Sequence, residues 1–157
     1  MVFWYWNTGK RGETVATCLR ISEAGALALH TVGVLAGTPD ALASNKDIAA
    51  SLGVSEHHLA KVHQRLVAAG IARAVRGPSG GFRLARPASE ITLLEIVEAV
   101  EGPFRPDQCL LGRPACSRAG CVLGKISSSI NRQVTDFLAA TTAESLIDQG
   151  PQGGFDA

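Results

Sequence analysis

Three of the four cysteines of this chain lie within thirteen residues, in the stretch CLLGRPACSRAGC at positions 109–121. Six residues separate Cys109 from Cys116, and four separate Cys116 from Cys121. The two-residue spacing that is typical of tetrahedral zinc sites is absent, and no second Cys/His pair stands at finger spacing. Three thiolates on a short loop can supply three ligands to an iron–sulfur cluster, so a fourth ligand must come from elsewhere.

Side chains that could complete such a cluster occur in other parts of the sequence: His30, Cys18, Glu23 and Asp107. Two other interpretations of the cysteine stretch stay open here, a redox disulfide with one odd thiol and a loop with free thiols. No apolar run approaches the ~20 residues that cross a membrane, and no signal-peptide pattern opens the chain. We therefore expect a cytoplasmic protein without a membrane partner. In a reducing compartment, clustered cysteines indicate metal or redox chemistry more often than structural disulfides.

The segment NKDIAASLGVSEHHLAKVHQ, residues 45–64, has the pattern of a helix-turn-helix. Apolar residues recur at helical spacing in both halves, Gly53 stands where the turn needs a left-handed backbone, and Ser55 can cap the second helix. In this motif the N-terminal turn of the second helix enters the major groove of DNA. The candidates to face DNA there are Ser55, Glu56, His57, His58 and Lys61, of which His58 is equally suited to the edge of the core.

Residues 66–87 change period and predict a two-stranded hairpin around the turn RGPSGG, which makes the hairpin a wing. Residues 44–86 carry a net charge of +5, whereas the rest of the chain carries −4. This asymmetry is expected of a surface that neutralises DNA phosphates. The further candidate DNA contacts are Lys46, Arg65, Arg76, Ser79, Gly80 and Arg83.

These patterns predict a mainly α fold, a winged helix-turn-helix with a two-stranded wing and a long C-terminal dimerisation helix. The first helix follows a cap at Ser22, and the helix within 88–103 has a capping box of Thr92 with Glu95 and stops at Gly102. The last helix has an apolar face and no partner of similar length except the first helix, so we expect a homodimer. The predicted parts are an N-terminal extension 1–18, the DNA-binding domain 19–103, the cysteine loop 104–122, the dimerisation helix 123–147 and a tail 148–157.

The chain resembles the Rrf-two family of bacterial winged-helix transcription regulators over about residues 19–147. The stretches that carry the resemblance are LRISEAGALALH (19–30), IAASLGVSEHHLAKVHQRLVAAGIARAVRGPSGGFRLARP (48–87), EITLLEIVEAVEGP (90–103) and LAATTAESLI (138–147). The family includes an iron–sulfur cluster regulator, a nitrite-sensitive repressor and a cysteine-metabolism repressor. The resemblance implies a homodimer on double-stranded DNA with a pseudo-palindromic operator.

The resemblance also implies that Cys109, Cys116 and Cys121 hold a 2Fe–2S or 4Fe–4S cluster whose state controls DNA binding. In the iron–sulfur cluster regulator a histidine three residues beyond the third cysteine completes the cluster, but this position is Gly124 here. His30 matches a first-helix ligand of a 2Fe–2S member and is the preferred fourth ligand, across the dimer. The alternative is a cluster-free regulator on the same scaffold, controlled by a thiol/disulfide switch or by a partner.

Enzymatic activity is not expected. The sequence has no Gly-rich phosphate loop, no nucleotide-binding motif and no pairing of a nucleophile with a base. A chain of this length that forms a winged helix and a dimerisation helix has little left with which to build a catalytic pocket.

Overall fold

The computed structural model describes residues 21–39, 41–77, 80–104 and 121–147. The predicted extension 1–18, the tail 148–157 and most of the loop 104–122 lie outside these residues. The elements are α1 (Glu23–Gly37), α2 (Asn45–Leu52), α3 (Glu56–Ala68), β1 (Ala72–Val75), β2 (Gly81–Leu84), α4 (Leu93–Glu101) and α5 (Val122–Ala140), with 3-10 turns at Ala88–Glu90 and Ala143–Leu146. The predicted mainly helical fold with an antiparallel two-stranded hairpin is confirmed.

Serine caps begin the first three helices. The hydroxyls of Ser22, Ser44 and Ser55 each accept a hydrogen bond from the backbone N–H three residues later, at 3.1–3.2 Å. Such a cap satisfies one of the amide groups that a helix start leaves without a partner. Between α2 and α3, Gly53 has a φ of 66°, which only glycine adopts without strain. The predicted turn of the helix-turn-helix is therefore present at this glycine.

Helix α1 is central to the core. Its buried residues Leu27, Val32 and Leu35 pack in the same cluster as side chains from α3 and α4. Each fully buried Leu, Ile or Val contributes roughly 1.5–3 kcal/mol. Because α1 contacts α2, α3, α4 and β2, it fixes the position of the helix-turn-helix relative to the hairpin. The core residues from the other elements include Leu59, Leu66, Ile71, Ile91, Ile96 and Leu138.

The hairpin is extended by a short segment that precedes α2. The backbone N–H of Phe82 donates to the Ala43 carbonyl at 2.9 Å, and the Ala43 N–H donates to the Phe82 carbonyl at 3.1 Å. Gly81 makes this approach possible, because a Cβ atom there would lie 2.7 Å from the Ala43 carbonyl oxygen. The hairpin is thus attached by its backbone to the start of the helix-turn-helix.

Helix α4 lies within the predicted segment 88–103 and begins at its predicted cap. Thr92 and Glu95 form the predicted capping box, and α4 begins directly after this cap. Residues 88–90 form a separate 3-10 turn instead. The helix ends at Gly102, whose φ is 86°. The cap residue therefore determines where the helix begins, and the apolar residues that precede it do not.

Helix α5 is shorter than the predicted helix 123–147, because it ends at Ala140. The next residues run beside the start of α4: the N–H of Leu93 donates to the Thr141 carbonyl at 2.9 Å, and the N–H of Ala143 donates to the Ile91 carbonyl at 2.8 Å. These bonds require an extended backbone at Thr142, and a β-branched residue adopts that backbone easily. In the described residues, no helix is long and apolar enough to span a bilayer.

Candidate nucleic-acid interface and cysteine site

The N-terminal turn of α3 exposes the predicted reading residues. Leu59, Val62 and Leu66 point into the core, so the opposite side of α3 is free. On that side Glu56, His57 and Lys61 are exposed, as are Ser55 before the helix and Lys46 in the first turn of α2. The structure therefore brings together polar side chains at a helix N-terminus, where the partial positive charge of the helix favours an anion.

Two of the predicted contacts have partners within the fold. His58 is half-buried, and its Nδ1 lies 3.8 Å from the Glu23 carboxylate at the start of α1. The guanidinium of Arg65 donates to the backbone carbonyl of Val100, in the last turn of α4. Both side chains thus link α3 to neighbouring helices, which sets them apart from the free residues of its first turn.

The hairpin carries the remaining predicted contacts. Arg76 is exposed where β1 runs into the tip, Arg83 is half-buried on β2, and Ser79 lies outside the described residues. Gly80 closes the turn, because a Cβ atom there would lie 2.5 Å from the Val75 carbonyl oxygen. The N–H of Gly80 also donates to the Gly77 carbonyl at 2.9 Å, next to the exposed Arg76.

Sequence reasoning assigned no role to His63, which the structure places in the core. The side chain is 1% exposed and packs against Phe82, with ring centroids 4.1 Å apart. Burial lowers the pKa of His63 to about 4, so the imidazole is neutral at pH 7 and adds no charge to the interface. Its spacing on α3, next to Val62 and four residues after Leu59, is the signal that predicts a buried position.

Cys121 is the predicted metal ligand that lies among the described residues of the cysteine segment, since Cys109 and Cys116 fall outside them. Its thiol is free and half-buried, and it caps α5: the N–H of Gly124 donates to Sγ at 3.4 Å. His30 is exposed on α1. Within the described ranges, no three His, Cys, Asp or Glu side chains converge on one metal position.

Helix α5 presents an uncovered apolar face. Val122, Leu123, Ile126 and Phe137 are 67%, 61%, 52% and 65% exposed. Another side of the helix holds Leu138, which is buried against the core. Large apolar side chains grouped on one helix face mark an interaction surface more often than scattered ones do.

Comparisons with known proteins agree with this architecture. The family model of Rrf2, described as an iron-dependent transcriptional regulator, matches residues 21–149. The protein aau3 of Rhizobium meliloti is 32% identical over 139 residues, which cover 87% of this chain and 90% of aau3. The transcriptional regulator IscR of Photorhabdus laumondii is 31% identical over 103 residues, or 65% of this chain and 62% of IscR.

Among solved structures, CymR of Bacillus subtilis, described as the global cysteine regulator, superposes with a TM-score of 0.74. It is 28% identical, and the match covers 84% of this chain and 98% of CymR. The similarity therefore extends over nearly the whole of a solved regulator.

Proposed function

Because the chain belongs to the Rrf2 family of transcriptional regulators, we propose that it controls transcription as a homodimer bound to a pseudo-palindromic operator in double-stranded DNA. The observation that carries this proposal is the free N-terminal turn of α3 beside a basic hairpin. Lys46 and Lys61 are exposed on the helix-turn-helix, and Arg76 is exposed at the hairpin. Phosphate neutralisation by such side chains supplies most non-specific affinity for a duplex. We assign the protein to the cytoplasm and propose no catalytic role.

The proposed contacts divide by chemistry. Lys46 and Lys61 suit phosphates, whereas Glu56 and His57 can reach base edges in the major groove. Ser55 is the N-cap of α3 and so lies at the helix terminus that we propose faces the DNA. On the hairpin the proposed contacts are Arg76, Ser79, Gly80 and Arg83. His58 and Arg65 support the interface indirectly, because their side chains hold α3 against α1 and α4.

The apolar face of α5 supports the homodimer. A second copy of this chain presents the same four exposed residues, so two α5 helices can cover each other's apolar faces. In a two-fold dimer the two reading helices contact half-sites about one helical turn apart, roughly 34 Å. An operator with two inverted half-sites follows from this symmetry.

Removing single charges tests the DNA interface. We expect Lys61→Ala and Arg76→Ala each to weaken operator binding about 10-fold and to lower the slope of log Kd against log salt by about 1. Fluorescence anisotropy with a labelled duplex, selected from genomic fragments, measures both quantities. Lys125→Ala, an exposed lysine on α5, is the matched control. Equal losses for all three variants, or no loss for the two interface variants, would contradict the proposed surface.

For the control of DNA binding we propose an iron–sulfur cluster held by Cys109, Cys116 and Cys121, with His30 of the partner subunit as the fourth ligand. Three thiols are a donor set that suits iron–sulfur clusters, and the family description as iron-dependent supports the same group. Cys121 is available for a ligand role, because its thiol is free and half-buried at the start of α5. When bound, a cluster supplies a redox-active group that reacts to oxidants or iron supply.

The position of these residues connects the cysteine segment to the DNA-binding elements. Cys121 is the N-cap of α5 and lies at the C-terminal end of the cysteine segment. Helix α4 ends shortly before the N-terminal end of the same segment. His30 is exposed on α1, where a second subunit can reach it. The second candidate is a cluster-free thiol switch, which the free, half-buried thiol of Cys121 also supports.

Anaerobic purification distinguishes these two forms of control. We expect a coloured protein with iron and sulfide in stoichiometric amounts, loss of the colour in Cys121→Ser, and a weakened or shifted spectrum in His30→Ala. Cys18→Ser is the comparison variant, because Cys18 is a rival fourth ligand. A colourless, iron-free protein after anaerobic reconstitution would contradict the cluster proposal. Mass spectrometry of reduced and oxidised samples then shows whether a disulfide forms instead.

A further inference from the structure

Arg73 and Arg83 stand directly opposite each other on the hairpin. Side chains alternate between the two faces of a strand, and Ala72, Phe82 and Leu84 belong to the core or pack against it. Arg73 and Arg83 therefore share the outer face. Side chains at directly opposite positions of an antiparallel pair have Cβ atoms about 5 Å apart. The hairpin thus carries two arginines at directly opposite positions of its outer face.

This pairing of like charges has no compensation inside the described part of the chain. Opposite like charges destabilise an antiparallel pair. Neither Arg73 nor Arg83 takes part in an ion pair among the residues that the structure describes. Arg83 is half-buried, and its Nε is shielded from solvent without a hydrogen-bond partner there. Between Glu56 and Glu90 the sequence has no Asp or Glu at all. Among the described residues, the pair is therefore left without an acidic partner.

We propose that Arg73 and Arg83 bind one phosphate group of the DNA backbone between them, beyond the contact made by the tip of the wing. The proposal rests on the proposed function, since the ligand is operator DNA. A guanidinium presents a planar fork of N–H donors that matches phosphate oxygens. A phosphate bound by both guanidinium groups offsets their mutual repulsion, because its negative charge attracts both.

DNA is the source of this phosphate because of where the pair lies. Arg76, at the tip, is three residues from Arg73, and the paired residues Val75 and Gly81 lie between the tip and the two arginines. Because no Asp or Glu lies between Glu56 and Glu90 to repel phosphates, a duplex that meets the tip comes within reach of the two arginines. A phosphate contact positions the wing and carries no sequence information.

The test uses Arg73→Gln, Arg83→Gln and the double variant in the full-length chain, with Arg132→Gln on α5 as a matched control. Operator binding is measured by fluorescence anisotropy over a range of salt concentrations, with a scrambled duplex beside the operator. We expect each single variant to bind about 10-fold more weakly and the double variant to lose less than the product of the two. The double variant should lower the salt slope by about 1, the value for a single phosphate.

Two further readouts separate this role from a structural one. Binding to the scrambled duplex should fall by the same factor as binding to the operator. The melting temperature without DNA should be unchanged or raised in the double variant, because the repulsion between the two arginines is removed. A purely structural pair would instead lower the melting temperature together with the affinity.

Three outcomes overturn the proposal. The double variant can bind as the wild-type chain does, or its salt slope can fall by about 2 with additive losses, which indicates two separate phosphates. Inorganic phosphate can stabilise the wild-type chain but not the double variant while DNA affinity stays unchanged, which assigns the pair to a small anion. Failure of the wild-type chain to bind any duplex is a different result, because it contradicts the proposed function itself.

Discussion

Replacing His63 with phenylalanine should stabilise the fold. It should also remove most of the decrease in the free energy of unfolding that the wild-type chain undergoes between pH 6.5 and pH 4. Burial lowers the pKa of His63 to about 4, from 6.5 in the unfolded chain. In that pH window the unfolded chain binds a proton at this side chain and the folded chain does not, so the free energy of unfolding falls as the pH falls. One pKa unit corresponds to about 1.4 kcal/mol, which gives a loss of about 2–3 kcal/mol by pH 4.5.

At pH 7 the same substitution removes a second cost. Both ring nitrogens of His63 are buried without a hydrogen-bond partner among the described residues, and Phe82 already provides an aromatic surface for a phenyl ring. Unpaired buried polar atoms cost about 1–3 kcal/mol each, so we expect His63→Phe to gain about 1 kcal/mol or more. Urea unfolding at pH 7.0, 5.5 and 4.5 measures both effects.

Two variants control for packing and for other histidines. A glutamine at position 63 does not titrate. His63→Gln should therefore flatten the acid limb, the fall in the free energy of unfolding below pH 6.5, even where glutamine packs less well than phenylalanine. His57→Gln changes an exposed histidine in the same helix and should leave the acid limb in place. An unchanged acid limb in both His63 variants would show that other groups cause the loss of stability.

Charges on the apolar face of α5 should convert the proposed dimer to monomers. We expect Ile126→Glu combined with Phe137→Glu to abolish dimerisation, because burial of two carboxylates against a second copy of the same face costs more than the interface returns. Both side chains are more than half exposed in the single chain, so its own fold should persist. Sedimentation velocity measures the association state, and circular dichroism checks the fold.

The loss of the dimer should weaken operator binding by 100-fold or more, since linked reading helices gain about 10²–10⁴ in affinity over single ones. Ala139→Glu is the matched control, because it adds a carboxylate to an exposed position of the same helix that lies outside the apolar face. The double variant contradicts the proposed interface if it stays dimeric. If it becomes monomeric and keeps the wild-type affinity for an operator with both half-sites, it contradicts the bivalent binding.

The sequence predicts most helix starts and turns of this fold because local residues determine them. The Ser22 and Ser55 caps, the turn at Gly53 and the capping box at Thr92 each depend on residues within one turn of the helix. The hairpin is equally local, because turn residues separate two short alternating strands. These features need no knowledge of what packs against them.

Features that depend on distant parts of the chain could not be predicted in the same way. Helix α5 ends at Ala140, and the residues after it form backbone hydrogen bonds with residues 91–93. The sequence near Ala140 does not indicate this pairing, because the partner residues lie about 50 positions earlier in the chain. The partner of Arg65 is a backbone carbonyl of α4, which residue type does not specify. For the cysteine site, the residue types predict the donor set, but a ligand from a second subunit depends on assembly.

The hydrogen bond from Arg65 to the Val100 carbonyl connects α3 directly to the last turn of α4. Helix α4 ends at Gly102, immediately before the segment that leads to the cysteines. Coupling between two sites is a free energy shared by both, so it acts with equal size in each direction. If the proposed function holds, a change at the cysteines that moves this turn of α4 alters operator affinity by some factor, and operator binding alters the equilibrium at the cysteines by the same factor.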